Sequence, residues 1–404
     1  MLENSKNTVL CVEAGSDTRT ADNVVHAYNY GSVIQDGDKN FKYPTIAQPT
    51  ANGRQLSVSA GKGLGGSTSI NGLAVTRPPQ SQVDAFGQDL STGWSWETLL
   101  PYMKKAEKFN PPSDDLKALG ADWDPSAHGT DGPVAVGFPS TLYRGEIINR
   151  YSEAITNTVG TPHIQDNSNG KVPLDGVGKH LTEQTMSSLG ANGGGDPDGN
   201  GPSALIAVSK NAMLKQFRSQ VAGIFDKQEG LVELFADNGY PSDRGGLVWN
   251  LLPFSRGSVS ASANSAFGNP RVDPRYFSAS WDLDVQIQAA RAVRRIFQKL
   301  GVQENIPGFD AGNGGIPDGP QHGNYRRWRD FVLNRFSSVA HPMSTCMMAP
   351  REDGGVVDNN FKVYSTSNVF VADASVVPMS ISAHLQSFLY GVAELAADKI
   401  MGRA

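Results

Sequence analysis

Apolar residues recur three and four positions apart in several stretches, and each predicts a helix. In residues 95–109, Leu99, Leu100, Met103 and Ala106 share one face, and Lys104, Lys105, Glu107 and Lys108 occupy the other. Pro111-Pro112 marks its end. The same spacing joins Ile147, Ile148, Tyr151 and Ile155, then Met213, Leu214, Phe217 and Val221. A longer stripe, Val285, Ala289, Val293, Ile296 and Leu300, predicts a helix over residues 282–300. A last helix opens near residue 382 and runs to about Met401. Short apolar or alternating runs predict strands over residues 8–15, 55–60, 134–136, 231–235, 246–252 and 369–375. Helical and extended segments therefore interleave along the chain, which is the pattern of an α/β protein.

The length of 404 residues suggests two or three domains and allows a large core. Charge changes the picture by exclusion: the net charge is −5, and no basic face is implied for nucleic acid. No run approaches 18 apolar residues, so no membrane-spanning segment is expected. The first six residues show no apolar signal core, so a cytoplasmic location is the default expectation. Two cysteines, Cys11 and Cys346, make neither a disulfide framework nor a zinc pattern. Cys11, inside Val9-Leu10-Cys11-Val12, reads as a buried small hydrophobe. Residues 190–202 are low-complexity. Asp196, Asp198, Asn200 and Gly201 match the start of a calcium loop, but its twelfth position is Ala207 instead of Glu, so no metal is expected.

Candidate chemistry concentrates in Gly61-Lys62-Gly63-Leu64-Gly65-Gly66-Ser67-Thr68-Ser69-Ile70-Asn71-Gly72. Four glycines in six residues let backbone approach a ligand, and the hydroxyls and amide after them can hydrogen-bond it. Gly61, Gly63 and Gly66 also match G-x-G-x-x-G, but no long helix follows and no strand-ending acid lies about 20 residues on. A cofactor loop and a structural turn both remain open on these rules. Glu13 ends an apolar run just before Gly15, either as a ribose-binding acid or as a solvated strand end. There is no G-x-S-x-G elbow and no H-E-x-x-H pair.

Residues 61–78 with Gly93-Trp94-Ser95-Trp96-Glu97-Thr98-Leu99-Leu100-Pro101-Tyr102 resemble the first signature of the glucose-methanol-choline (GMC) flavin oxidoreductases. His128-Gly129-Thr130-Asp131-Gly132-Pro133 resembles a structural turn of the same family, which gives His128 a turn-holding role. Residues 252–260 resemble a hairpin of its second domain, and His341-Pro342-Met343-Ser344-Thr345 its H-P-x-G-T segment. Within the family, the chain resembles fungal glucose oxidases and glucose dehydrogenases. The resemblance implies a two-domain fold, with an FAD-binding domain and a substrate domain of antiparallel sheet and flanking helices. It assigns residues 1–79, 171–190 and 343–404 to the flavin domain, and 80–170 and 191–342 to the substrate domain. It also implies that the flavin domain is incomplete: the N-terminal G-x-G-x-x-G unit and a central part have no counterpart. Residues 176–184 resemble a family V-G-x-N-L-x-D-H segment, with His180, Thr182, Glu183 and Gln184 as departures.

By the same resemblance, the cofactor is FAD. Glu13 would bind the adenosine ribose, and Ser67, Asn71, Gly72 and Ala74 would line the isoalloxazine and ribityl parts. Asp373 and Ala374 would lie at the flavin pyrophosphate or ribityl chain, and Leu385 would also bind the cofactor. His384 would act as base and His341 would orient the alcohol oxygen. A histidine suits proton transfer near neutral pH, and a flavin takes the hydride that no side chain can. The expected function is oxidation of the CH–OH group of a small-molecule alcohol, as an oxidase or dehydrogenase in fungal secondary metabolism, with oxygen or another acceptor. Where the sugar enzymes carry Arg and Asn before the first histidine, this chain has Ser337 and Val339. That removes sugar-binding donors and favours a less polar alcohol. The alternatives are a glucose-type sugar oxidase or dehydrogenase, and a truncated, non-catalytic relative without flavin. The family's lyase chemistry is a smaller third option.

Overall fold

In a computed structural model of the chain, the structure describes residues 6–26, 29–138, 145–160, 163–170, 177–178, 188–191, 210–237, 245–262, 268–301 and 322–404. The calcium-like loop, most of residues 176–184 and the 192–209 stretch lie outside them.

The helix Trp96–Ala106 begins where its sequence signals it. Ser95 Oγ accepts the Thr98 N–H, and Thr98 Oγ1 accepts the Ser95 N–H, which closes a capping box. Asp84, from the preceding helix Gln80–Leu90, accepts the Trp96 N–H at 2.7 Å. The helix ends at Ala106, three residues before the expected 109. Glu107–Asn110 leave it to pair in parallel with Val134–Gly137, and a long-range ladder of this kind overrides local propensity.

One core joins these two helices to the C-terminal part of the chain. Phe86, Trp94, Leu99 and Met103 meet Phe361, Val376, Phe388 and Val392. Trp94 stands edge-on to Phe388, with ring centroids 5.8 Å apart. Burying each such side chain stabilises the fold by roughly 1.5–3 kcal/mol. This core fixes the final helix Leu385–Ile400 against Trp96–Ala106.

The second half supplies a hairpin, Val232–Asp237 with Gly245–Asn250, paired antiparallel. The helix Ser280–Lys299 lies against it, and Gln286 Nε2 donates to the Val248 carbonyl at 2.8 Å. That helix buries two faces: Ile296 packs with Tyr151 and Ile155, while Leu283 and Ile287 pack with Trp328 and Leu333. A four-stranded sheet runs in the order Arg271–Asp273, Arg256–Ser260, Ser188–Ala191, His341–Met343. Its first pairing is antiparallel, and its other two are parallel. The parallel partner comes from outside the stretch read as antiparallel sheet, and no local pattern announces such a crossover.

Two expected strands are not formed. Residues 8–15 have no ladder partner among the described residues. Leu10 and Val12 are 86% and 85% exposed, and Cys11 is exposed, not buried. An apolar run becomes a strand only where a neighbour satisfies its backbone. Residues 369–375 make only an isolated bridge from Phe370 to Lys362, followed by a short turn at Ala374–Val376. The strand read over 55–60 shrinks to Ser57–Val58, paired with Tyr43–Pro44. No described helix is long and apolar enough to cross a membrane.

A buried charge network secures the turn around His128. Arg77 pairs with Glu107 at 2.6 Å, both nearly inaccessible. His128 Nδ1 lies 3.0 Å from Glu107 Oε1, and Nε2 lies 2.8 Å from Asp166 Oδ2. Burial alone would lower the His128 pKa, but the bonds to Asp166 and Glu107 outweigh it and hold it above 6.5. Burial would raise the Asp166 pKa, but His128 and the Asp124 and Ser168 amides bring it to about 2. A raised histidine contributes stability that is full below its unfolded value and lost as pH rises through its folded value. The depressed Asp166 contributes stability that is full above 3.8 and lost as pH falls towards 2. The thermal midpoint should therefore fall on both sides, and His128→Gln should flatten the alkaline limb. An unchanged alkaline slope in that variant would contradict the assignment.

Candidate active site

The site forms where residues 71–77 run beside the start of the final helix. Three hydrogen bonds fix them. Asn71 Nδ2 donates to Gln386 Oε1 at 2.6 Å, the His384 N–H donates to Thr76 Oγ1 at 2.8 Å, and Arg77 Nε donates to Ser387 Oγ at 3.1 Å. His384 is the cap residue of that helix and is 2% exposed. Its ring lies 5.8 Å from that of His341, at 86°. Trp249 stands edge-on to the same ring at 5.8 Å.

Glu233 organises this group from the hairpin. Its Oε1 lies 3.0 Å from His384 Nε2, and its Oε2 accepts the Trp249 indole N–H at 3.2 Å. A carboxylate accepts, so in the neutral imidazole that bonds it the proton is on Nε2 and Nδ1 carries the lone pair. That Nδ1 is buried with no hydrogen-bond partner among the described residues. Burial, and then the neighbouring His384, push the His341 pKa well below 6.5, so His341 is neutral at pH 7.

The glycine stretch folds into a tight loop followed by the short turn Gly66–Ser69. Ser67 Oγ accepts the Gly61 N–H at 3.0 Å. Gly15 packs against this loop so closely that a Cβ there would lie 2.4 Å from the Gly63 nitrogen. Glu13, which accepts the Gly15 N–H at 2.7 Å, is thereby held beside the loop, though not on a strand. Asp373 caps the turn Ala374–Val376, and the Ala374 carbonyl accepts the Ser344 N–H at 3.3 Å. Ala74 and Leu385 are buried, and Gly72 is half-buried. The structure thus joins His384 to His341, Asn71 to the final helix, Ala374 to the segment after His341, and Glu13 to the glycine loop. Among the described residues no group of three His, Cys, Asp or Glu side chains is placed to hold a metal.

Two GMC oxidoreductase family profiles match the chain, one over residues 8–185 and the other over 253–393. The chain belongs to the GMC oxidoreductase family. A glucose oxidase-like protein of Humicola fuscoatra is 26% identical, with 100% of this chain and 92% of the relative covered. That alignment spans 554 positions against 404 residues here, so a substantial share of the relative has no counterpart in this chain. The glucose oxidase of Penicillium chrysogenum is 24% identical, over 99% of this chain and 89% of its own. An FAD-dependent oxidoreductase from Chaetomium thermophilum shares the fold with a TM-score of 0.74 at 20% identity, covering 99% of this chain and 96% of its own. A fungal aryl-alcohol oxidase does so with a TM-score of 0.66 at 16% identity, covering 91% and 90%.

This GMC oxidoreductase offers features that fit the family's flavin. His384 Nδ1 and Ser344 Oγ are buried polar atoms with no partner among the described residues, as expected of groups that face a ligand. Ser344 also holds a φ of +70°, a cost of roughly 1–3 kcal/mol for a side chain other than glycine. Gly61 leaves no room for a side chain: a Cβ there would lie 2.1 Å from the Gly66 carbonyl oxygen. Gly61→Ala should therefore distort the loop, and the variant should purify with less flavin per protein than the parent. Equal flavin content would show that the loop does not hold the cofactor.

Glu233 is the site residue that sequence reasoning missed. Its signal was a lone acid inside the apolar strand Leu231-Val232-Glu233-Leu234-Phe235. Without its partner in view, that acid reads as the solvent face of a strand.

Proposed function

We propose that this GMC oxidoreductase uses FAD to oxidise the CH–OH group of a small, weakly polar alcohol, with His384 as the base. The observation that carries the reading is the lone His384 Nδ1, buried beside His341 while Glu233 occupies Nε2.

Glu13, Ser67, Asn71, Gly72, Ala74, Asp373, Ala374 and Leu385 would hold the cofactor. When bound, FAD supplies the acceptor for the hydride that leaves the substrate carbon. His384 Nδ1 takes the hydroxyl proton. Glu233 keeps the ring in the tautomer that can do so, and its charge stabilises the imidazolium that forms. Neutral His341 orients the alcohol oxygen by a hydrogen bond without competing for the proton. Val339 is 5% exposed and shares an apolar cluster with Trp249, Leu251 and Leu252. Trp249 borders His384, so this wall favours alkyl or aryl groups over a sugar. Oxygen or another small acceptor then removes the electrons.

An anaerobic panel of alcohols tests the reading. Aliphatic and aryl primary alcohols should bleach the flavin at lower concentration than glucose. Bleaching by glucose alone would overturn the substrate class.

A further inference from the structure

Beneath the histidine pair lies a polar bridge that the reaction does not use directly. Gln82, on the helix Gln80–Leu90, is 4% exposed. Its Nε2 donates to Glu229 Oε2 at 3.2 Å, and its Oε1 accepts the Ser382 N–H at 2.8 Å. Glu229 and Ser382 are themselves 8% and 5% exposed. Ser382 Oγ closes the ring by donating to the Gly230 carbonyl at 2.7 Å. Ser81 Oγ gives Glu229 a further bond at 3.1 Å.

The two segments joined in this way are the two that meet at the base. Glu229 lies four residues before Glu233, in the turn that leads into the strand Val232–Asp237. Ser382 lies two residues before His384, in the turn that leads into the final helix. These turns are distant in sequence and have no backbone ladder to each other among the described residues. The 3.0 Å approach of His384 to Glu233 joins the same two segments. We propose that Gln82 is a positioning residue, whose amide fixes the carboxylate of Glu233 against the ring of His384. The inference rests on His384 being the base. An amide suits the place because it donates and accepts at once, while leucine or methionine of similar size does neither.

Gln82→Leu tests it, with the flavin-loaded protein. Misplacing a catalytic group by an ångström costs up to about 100-fold in rate, so kcat should fall about 10–100-fold with KM within about twofold. A downfield proton resonance from the His384–Glu233 hydrogen bond, assigned by its loss in Glu233→Gln, should weaken or vanish. Parental kcat together with an intact resonance would overturn the proposal. So would a loss of activity that only tracks the fraction of folded protein.

Gln82→Glu guards against misfolding of the leucine variant. A protonated carboxyl can donate to Glu229 and accept from Ser382 as the amide does. Burial already raises the Glu229 pKa, against the bonds from Ser81 and Gln82 and the charge of Lys227. Lys227 approaches from its own turn, while Asp84 and Asp89 on the Gln82 helix are engaged by Trp96 and Ser219. Glu233 and His384 lie at the far end of the bridge. Two adjacent buried carboxyls share one proton, so this variant should approach parental turnover at low pH and lose it as pH rises. A pH profile identical to that of the parent would also overturn the proposal. Activity retained in His384→Asn would remove the base reading alone, because the resonance reports on Gln82 in either case.

Discussion

Replacing His384 by asparagine should lower turnover by about 10²–10⁴-fold, the usual contribution of a positioned general base, while flavin content stays unchanged. The separation of the two effects follows from the geometry. The backbone N–H of residue 384 donates to Thr76, and an asparagine keeps that bond. What is lost is a basic nitrogen, since an amide takes no proton near pH 7. Glu233 is not placed to replace it, because it faces the Nε2 side of the ring, away from Nδ1, and its Oε2 is held by Trp249. The KM should move little, since His341 and the apolar wall of Trp249 and Val339 remain. Rapid anaerobic reduction of the flavin by alcohol measures the step directly. A variant reduced at the parental rate would exclude His384 as base.

Arg77→Met should destabilise the protein by about 3–5 kcal/mol, the cost of leaving a buried partner charge uncompensated. Arg77 binds Glu107 and Ser387, and it donates to the Ala127 and Ser168 carbonyls. Its side chain is 1% exposed and that of Glu107 is 5%, so water cannot take its place. The network spans four separate segments and reaches the first turn of the helix that presents His384. Denaturant titration should show the loss, and flavin release should accompany it. A variant of parental stability would show that the network is compensated elsewhere. Replacing Arg77 and Glu107 together should cost less than the sum of the two single changes, because each removes the other's unpaired charge.

Much of this architecture was legible in the chain. The helices near 99, 151 and 290 follow from apolar spacing, because each buries a stripe against a neighbour; the helix Lys210–Phe225 also forms, but it buries Ala212, Gln216 and Gln220 while Leu214 and Val221 of the expected stripe are exposed. His384 and His341 were found by motif, and the fold brings their rings within 5.8 Å. Legibility failed where the deciding partner is distant. Val9-Leu10-Cys11-Val12 carries every local sign of a buried strand, yet no described segment offers it a ladder. Val369 and Phe370 are 47% and 38% exposed, and their stretch meets residues 361–363 only through an isolated bridge. Glu233 and Gln82 are unremarkable in sequence and acquire roles only from residues 151 and 300 positions away. The glycine stretch lies between these cases. Its composition predicted close backbone approach, and Gly15 against Gly63 shows one such approach within the chain itself.

The central claim is that this chain holds FAD beside His384, and the visible absorption spectrum of the purified, FAD-supplemented and desalted protein tests it most directly. Retained flavin bands should bleach on anaerobic addition of a primary alcohol, and should bleach at least about 100-fold more slowly in His384→Asn. A folded protein that stays colourless after FAD is added would contradict it.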